Sequence, residues 1–407
     1  MKNLQLEDEL DLLAIDNDRL RKLLASNGGV GNEATAFRSR DSGGGLIGNF
    51  SSTSTTVDPN QEWSELLVDG DDICADTLQT RIENACGGMN ALCVAFCTYQ
   101  GKDAVACGGV DKVLRIHSIS TDGPALLQSY PLSAPILAID SYTAIDSHDS
   151  LVACSLMDGH HAIVHISEDR DKGAVTVFKD HTKYVVCIKW SPDGCFLATV
   201  SHDKTVNLYK KSANIEGEMM MVKVHTARFT VTPEYAVFAA STDSDTSVWD
   251  LIISLRDTPH LVYLNTNTNI QRFVSLNEAS WDLHCSFTPL FMVVSPDKKY
   301  LLIATDKNFH FIVQIGMSKR LRFFAGGHSC GDFGKPKAAW DQSGKYIYCN
   351  NEDGNSICVY SVSTEKPVRT LSVHLGIVRD VVCHSSKAMV ASASYDKSVV
   401  IWEPSHL

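Results

Sequence analysis

The 407-residue sequence predicts an all-β fold, a ring of seven four-stranded blades, that is a seven-bladed β-propeller. Three observations lead there. A small or polar residue is followed four positions later by Asp at a tight turn, and six positions beyond that by a bulky residue, within alternating apolar stretches, and this pattern recurs along the chain. Most of these turn acids recur at about 40–47 residues, the length of a four-stranded blade. The corners Ser191-Pro192-Asp193-Gly194 and Ser295-Pro296-Asp297-Lys298 put Pro second in a turn between strands, where its fixed φ suits type I geometry.

The chain divides into three parts: a short coiled-coil helix over 1–26, a flexible Gly/Ser/Thr-rich linker over 27–75, and the propeller over 76–407. In the first, Leu6, Leu13 and Leu20 recur every seven residues while Leu10, Asn17 and Leu24 fill the alternate seam positions, a miniature leucine zipper. Asn17 on the seam trades stability for register, and Asp16 is placed to reach Arg21 of a partner helix. Acidic residues early and Arg19, Arg21 and Lys22 late complement the helix dipole. The expectation is a homodimer or heterodimer through this helix. The linker, with Gly43-Gly44-Gly45 and a Ser/Thr run from Ser51 to Thr56, holds too few apolar groups to offset the entropy of ordering.

Seven units follow. They are Cys107, Asp111, His117; Cys154, Asp158, Val164; Thr199, Asp203, Tyr209; Ala239, Asp243, Trp249; Leu302, Asp306, Ile312; Asn350, Gly354, Tyr360; and Ser392, Asp396, Trp402. The sixth has its acid one place early, at Asp353. The fifth is longer by roughly twenty residues, an apparent insertion between Leu251 and Pro289.

The stretches Lys179-Asp180-His181, Trp190 to Gly194, Ser201 to Tyr209 and Ala391 to Trp402 resemble WD40 repeats, and the resemblance extends over about 76–404. It implies a hydrogen-bonded tetrad inside each blade, complete here only in the last: His374, Ser392, Asp396 and Trp402. The third blade has His181, Thr199 and Asp203 with Tyr209 in place of Trp; the fourth has His225, Asp243 and Trp249 with Ala239 in place of Ser. The resemblance also implies that Thr77 to Glu83 supplies the outer strand of the last blade and closes the ring. It places a partner-binding surface on the top of the ring at Tyr184, Val186 and His202, at Arg228, Thr230 and Thr242, and at Ile377, Arg379 and Tyr395. Their Tyr and Arg content suits an acidic or phosphorylated peptide.

Composition narrows the function classes. A net charge of -12 opposes the phosphate backbone that supplies most nucleic-acid affinity, so direct nucleic-acid binding is not expected. No apolar run reaches the roughly 18 residues of a membrane span. Glu7, Asp8, Glu9 and Asp11 stand where a secretory signal needs a basic start and an apolar run, and thirteen scattered cysteines without a Cys-x-x-Cys pair suit a reducing compartment. The expected location is intracellular, in cytoplasm or nucleus. Nucleotide-binding and hydrolase glycine motifs are absent. His160, His161 and His165 beside Asp158 are a weak metal pattern, since His161 and His165 on a strand lie about 13 Å apart. No cofactor, metal or catalytic residue is expected. The reading is a non-enzymatic scaffold for other proteins, with a substrate receptor of a cullin-RING ubiquitin ligase as the alternative. For the latter, Trp249-Asp250-Leu251-Ile252 and Trp402-Glu403-Pro404-Ser405 lack the Arg of the Trp-Asp-x-Arg pattern.

Overall fold

A computed structural model describes residues 74–120, 123–144, 148, 150–166, 175–213, 219–241, 248–277, 286–331 and 334–404. The zipper residues Leu6, Leu10, Leu13, Asn17, Leu20 and Leu24, and the linker up to residue 73, lie outside the described residues.

Short β-rich segments punctuated by turns leave one solution for burying both faces of each sheet, which is to stack small sheets around an axis. Blade 1 comprises Ala91–Tyr99, Lys102–Gly109, Val113–Ser118 and Leu126–Pro131, and blade 2 Ile136–Tyr142, Leu151–Leu156, His161–His165 and Val175–Phe178. Blade 3 comprises Val185–Trp190, Phe196–Ser201, Thr205–Ala213 and Met219–Arg228, and blade 4 Pro233–Ala240, Trp249–Leu255, His260–Asn265 and Gln271–Ser275. Blade 5 is built from Pro289–Val294, Tyr300–Thr305, Phe309–Gln314 and Arg320–Ala325, and blade 6 from Ala338–Trp340, Tyr346–Asn351, Ser356–Ser361 and Pro367–Leu371. In blade 7, Val378–Cys383, Val390–Ser394 and Val399–Glu403 are joined by Thr77–Ile82 as the outer strand. Every described sheet is an antiparallel meander of four strands, and the first strands of successive blades touch all the way round, from blade 7 back to blade 1.

Closure joins the two ends of the fold. Thr77 pairs with Glu403, Leu78 with Trp402 and Ile82 with Val399, with a bulge after Leu78. Ile82 is buried, and Arg81 donates to the Val373 carbonyl and to Asp396. Just ahead of the strand, the Ala75 N–H donates to the Tyr348 hydroxyl at 2.8 Å.

Between blades the cores are apolar, one for example combining Ile136, Ile139, Leu114 and Cys154 from blades 1 and 2. Carboxylates pin the inner strands together. Asp140 on blade 2 accepts from the Trp190 N–H at 2.8 Å and meets Lys189 Nζ at 2.7 Å, both on blade 3. Asp380 on blade 7 accepts from the Val94 N–H of blade 1 at 3.1 Å and lies 3.5 Å from Lys337. Hydrogen bonds to charged groups of this kind are typically worth about 1.5–3 kcal/mol. Where blade 2 meets the segment entering blade 3, Gly159 adopts φ +86° and a Cβ there would lie 2.7 Å from the His181 carbonyl, so that turn requires glycine.

Six of the seven units have their turns where the repeat pattern puts them; the fourth does not. Ala239 lies in the inner strand of blade 4, and Trp249 opens the second strand, paired with Ala240. The turn between second and third strands is Arg256-Asp257-Thr258, with Asp257 at φ +54°. The stretch 251–289 is therefore not an insertion: it holds the rest of the second strand and the third and outer strands of blade 4. Alternation has the same period in every strand, so a small residue, an acid and a bulky residue at that spacing fit a first-to-second hairpin as well as a second-to-third one. Only the pairing of Asp250 with Asn265 separates the two registers.

Candidate interaction surfaces of the ring

In blade 7 the connecting segment delivers His374 beneath the turn between the second and third strands. His374 Nδ1 is 2.9 Å from Asp396 Oδ2 and Nε2 is 2.8 Å from Ser392 Oγ, which also accepts the Trp402 indole N–H at 3.3 Å. Asp396 further accepts from the Ser398 hydroxyl and the Leu375 N–H. Burial opposes its ionisation, but these bonds outweigh it and hold the carboxyl well below the usual carboxylate range. The Ser–His–Asp connectivity matches a hydrolase relay, yet Ser392 is fully buried and its oxygen already receives the indole N–H. The array is structural. Replacing Asp396 with Ala is expected to lower stability by about 1–3 kcal/mol, since it strands several buried donors. The same change at Asp306, whose described contacts are the Thr288 N–H at 2.8 Å and Lys307 at 3.8 Å, should cost clearly less. Chemical denaturation of the two variants side by side checks the order; equal midpoints contradict it.

Blade 3 repeats the scheme: His181 bonds Asp203 at 3.0 Å and Thr199 at 2.8 Å. Tyr209 turns elsewhere, its hydroxyl donating to Asp180 at 2.9 Å. In blade 6, His328 meets the Tyr360 hydroxyl, an arrangement the repeat pattern misses because His328 stands four residues further ahead of Asn350 than His181 does of Thr199 or His374 of Ser392. Trp249 donates to Asp193 of the blade 3 corner at 2.8 Å, and His225 belongs to the outer strand of blade 3, paired with Leu208. Asp243 lies outside the described residues.

The proposed top-face residues fall into three groups. Tyr184 and His202 stack with ring centroids 4.2 Å apart, the tyrosine hydroxyl meeting His202 Nδ1, with half-buried Val186 nearby on the inner strand. In blade 7 the equivalent backbone contact joins the Tyr395 N–H to the Ile377 carbonyl, and the Arg379 guanidinium lies 5.2 Å from the Tyr395 ring centre. Arg379 is also ion-paired with the buried Glu352 at 3.0 Å. In the third group Arg228 is not on an inner strand. Arg228 ends the outer strand of blade 3, paired with Thr205, and Thr230 follows it, its carbonyl accepting Lys204 Nζ at 2.8 Å. Both were placed on blade 4 by the shifted register; Thr242 lies outside the described residues. The histidines of the metal pattern are not brought together either, for His161 is buried against Phe178 while His165 is exposed.

Residues 173–210 and 365–403 match the family described as WD domain, G-beta repeat, and these segments carry the His181–Thr199–Asp203 set of blade 3 and the tetrad of blade 7. With seven four-stranded blades closed by an early strand, that match decides the family. The chain belongs to the WD40 propeller superfamily. It is 39% identical over 59 residues to the LEC14B protein of Lithospermum erythrorhizon, covering 14% of this chain and 12% of that one. It is 37% identical over 65 residues to the Periodic tryptophan protein 2 homolog of Schizosaccharomyces pombe, covering 16% and 8%. The alignments thus span about a tenth of these relatives' length. Among the described residues no helix is long and apolar enough to cross a membrane.

The WD40 ring also presents a feature on its other face that the repeat pattern does not reveal. The turns between first and second strands surround a cavity of about 370 Å³ lined by Pro192, Trp249, Pro296, Lys298, Trp340 and His384. The acids of the neighbouring corners bond within their turns, Asp193 with Ser191 and Cys195 and Asp297 with Ser295 and Lys299, and Asp193 also accepts the Trp249 indole N–H. The described cysteines carry no disulfide, and burial pushes most of their thiols up, Cys187 and Cys358 to about 11, so they act as small core hydrophobes.

Proposed function

We propose that the chain is a non-enzymatic interaction scaffold that binds an acidic or phosphorylated partner peptide on the channel face carrying Tyr184, His202, Arg379 and Tyr395, and a partner helix through its amino-terminal zipper. The observation that supports the channel site is the Arg379–Tyr395 cation–π pair, with the Tyr184–His202 ring pair at the equivalent turn of blade 3. Aromatic and guanidinium groups combine contact area with directed hydrogen bonds, the usual make-up of a binding hot spot. Glu352 holds the guanidinium in place, and an incoming phosphate or carboxylate is drawn to its positive charge. The ligase-receptor alternative draws no support from Asp250, which is buried and ion-paired with Arg272. An intracellular location accompanies the proposal.

The test is capture of partners by the full chain, followed by mass spectrometry. Arg379→Gln with Tyr395→Ala should reduce capture at least tenfold when measured below a thermal midpoint that falls because Glu352 loses its buried partner, and Leu13→Pro should remove a separate set of helical partners. Undiminished capture by the folded double variant overturns the channel site.

A further inference from the structure

Blade 3 carries a second surface, remote in chemistry from the channel. Its outer strand, Met219–Arg228, has ten residues and is the longest described; the other outer strands have four to six. It pairs on one side only, with Thr205–Ala213. Its free side therefore offers a row of main-chain N–H and C=O groups with no strand against them.

Side chains distinguish this edge from those of the other blades. Met220, Val222 and Val224 are 50%, 42% and 46% exposed, the longest alternating run of exposed apolar groups on any described outer strand. Met221, pointing the other way, packs beside Tyr209 and Phe178. Lys210 stands opposite Val222 and Ser212 opposite Met220 on the neighbouring strand, while Lys211 and Lys223 project on the reverse face. The two strands contain no carboxylate, and Lys210 and Lys211 form no ion pair among the described residues, whereas Lys223 is paired with Asp180 at 2.6 Å. An exposed apolar edge of this kind invites strand addition, and the lysines bias the choice of what is added.

We propose that this edge docks an extended segment of a partner protein, which adds as a fifth strand to blade 3 and alternates apolar residues with Asp or Glu. The apolar side chains of the added strand cover Met220, Val222 and Val224, and its acids face Lys211 and share Lys223 with Asp180. Main-chain hydrogen bonds supply affinity, and the apolar and charged faces select register and partner. A second copy of the chain fits less well. Antiparallel self-pairing centred on Val222 sets Met220 against Val224, but the added copy of the strand brings no carboxylate to Lys210 or Lys211.

The test uses the full chain and a fluorescent nine-residue peptide of alternating Val and Glu, followed by anisotropy at low salt. Three results are expected: measurable binding, at least tenfold weaker binding of the peptide N-methylated at alternate amides, and at least tenfold weaker binding of a Val/Lys peptide. Val222→Asp should likewise reduce binding at least tenfold, with its folding verified by an unchanged thermal midpoint. Absence of binding, or equal binding of the N-methylated or Val/Lys peptide, overturns the proposal. So does a concentration-dependent dimer in sedimentation that Val222→Asp dissolves, which would give the edge to a second copy.

Discussion

Deleting Thr77–Ile82 is expected to abolish the cooperative unfolding of the ring, because among the described residues it is the strand that covers the Val399–Glu403 edge. The loss combines several ladder hydrogen bonds at about 0.5–1.5 kcal/mol each with the burial of Ile82, worth roughly 1.5–3 kcal/mol. It also frees Asp396 from Arg81, which lies 3.3 Å away. Together these approach the roughly 5–15 kcal/mol that keeps a folded domain folded. Urea denaturation followed by tryptophan fluorescence should show a broadened transition with a reduced m-value, or no folded baseline at all. A deletion variant with the parent's midpoint and slope would mean that the ring holds without its closing strand.

Acidification should weaken the fold well before its carboxylates titrate. His161, His310 and His328 are buried, and burial is the main cause that lowers all three, His161 to about 3 and His328 to about 4. His310 is further disfavoured as a cation by His328, on which it stacks at 4.1 Å. Their ring nitrogens include buried atoms without a hydrogen-bond partner, so a proton there would be both desolvated and unpaired. In the unfolded chain each takes up its proton near pH 6.5, whereas in the fold it does so only at much lower pH. The unfolded state therefore binds more protons in that window, and stability is full above about 6.5 and falls as the pH drops toward the folded values. Each histidine costs about 1.4 kcal/mol per pH unit, so at pH 5 the three together remove on the order of 6 kcal/mol. Denaturation midpoints between pH 7.5 and 5 measure the slope. His161→Phe, which retains the stack on Phe178, should flatten it by about one proton; a slope unaffected by that change contradicts the assignment.

Six of the seven second-to-third-strand turns were legible in the sequence because each is encoded locally, whereas the tetrad of blade 7 and the closing strand followed from the resemblance to WD40 repeats. A hairpin turn with an acid that caps its own backbone, as Asp203 does for Thr205, is a short-range device with a short-range signature. The tertiary structure decided what depends on neighbours. It moved Trp249 to the start of the second strand of blade 4, turned the supposed insertion into strands, and set Arg228 at the outer edge of blade 3. It also placed His328 against Tyr360 and stacked His310 on it, a burial that exists only because blade 6 lies against blade 5. A strand's alternation states which residues share a face, but the four strands of a blade have that period in common. Their rank from channel to rim, and hence which side chains reach a partner, is set by pairing across the sheet and packing between blades.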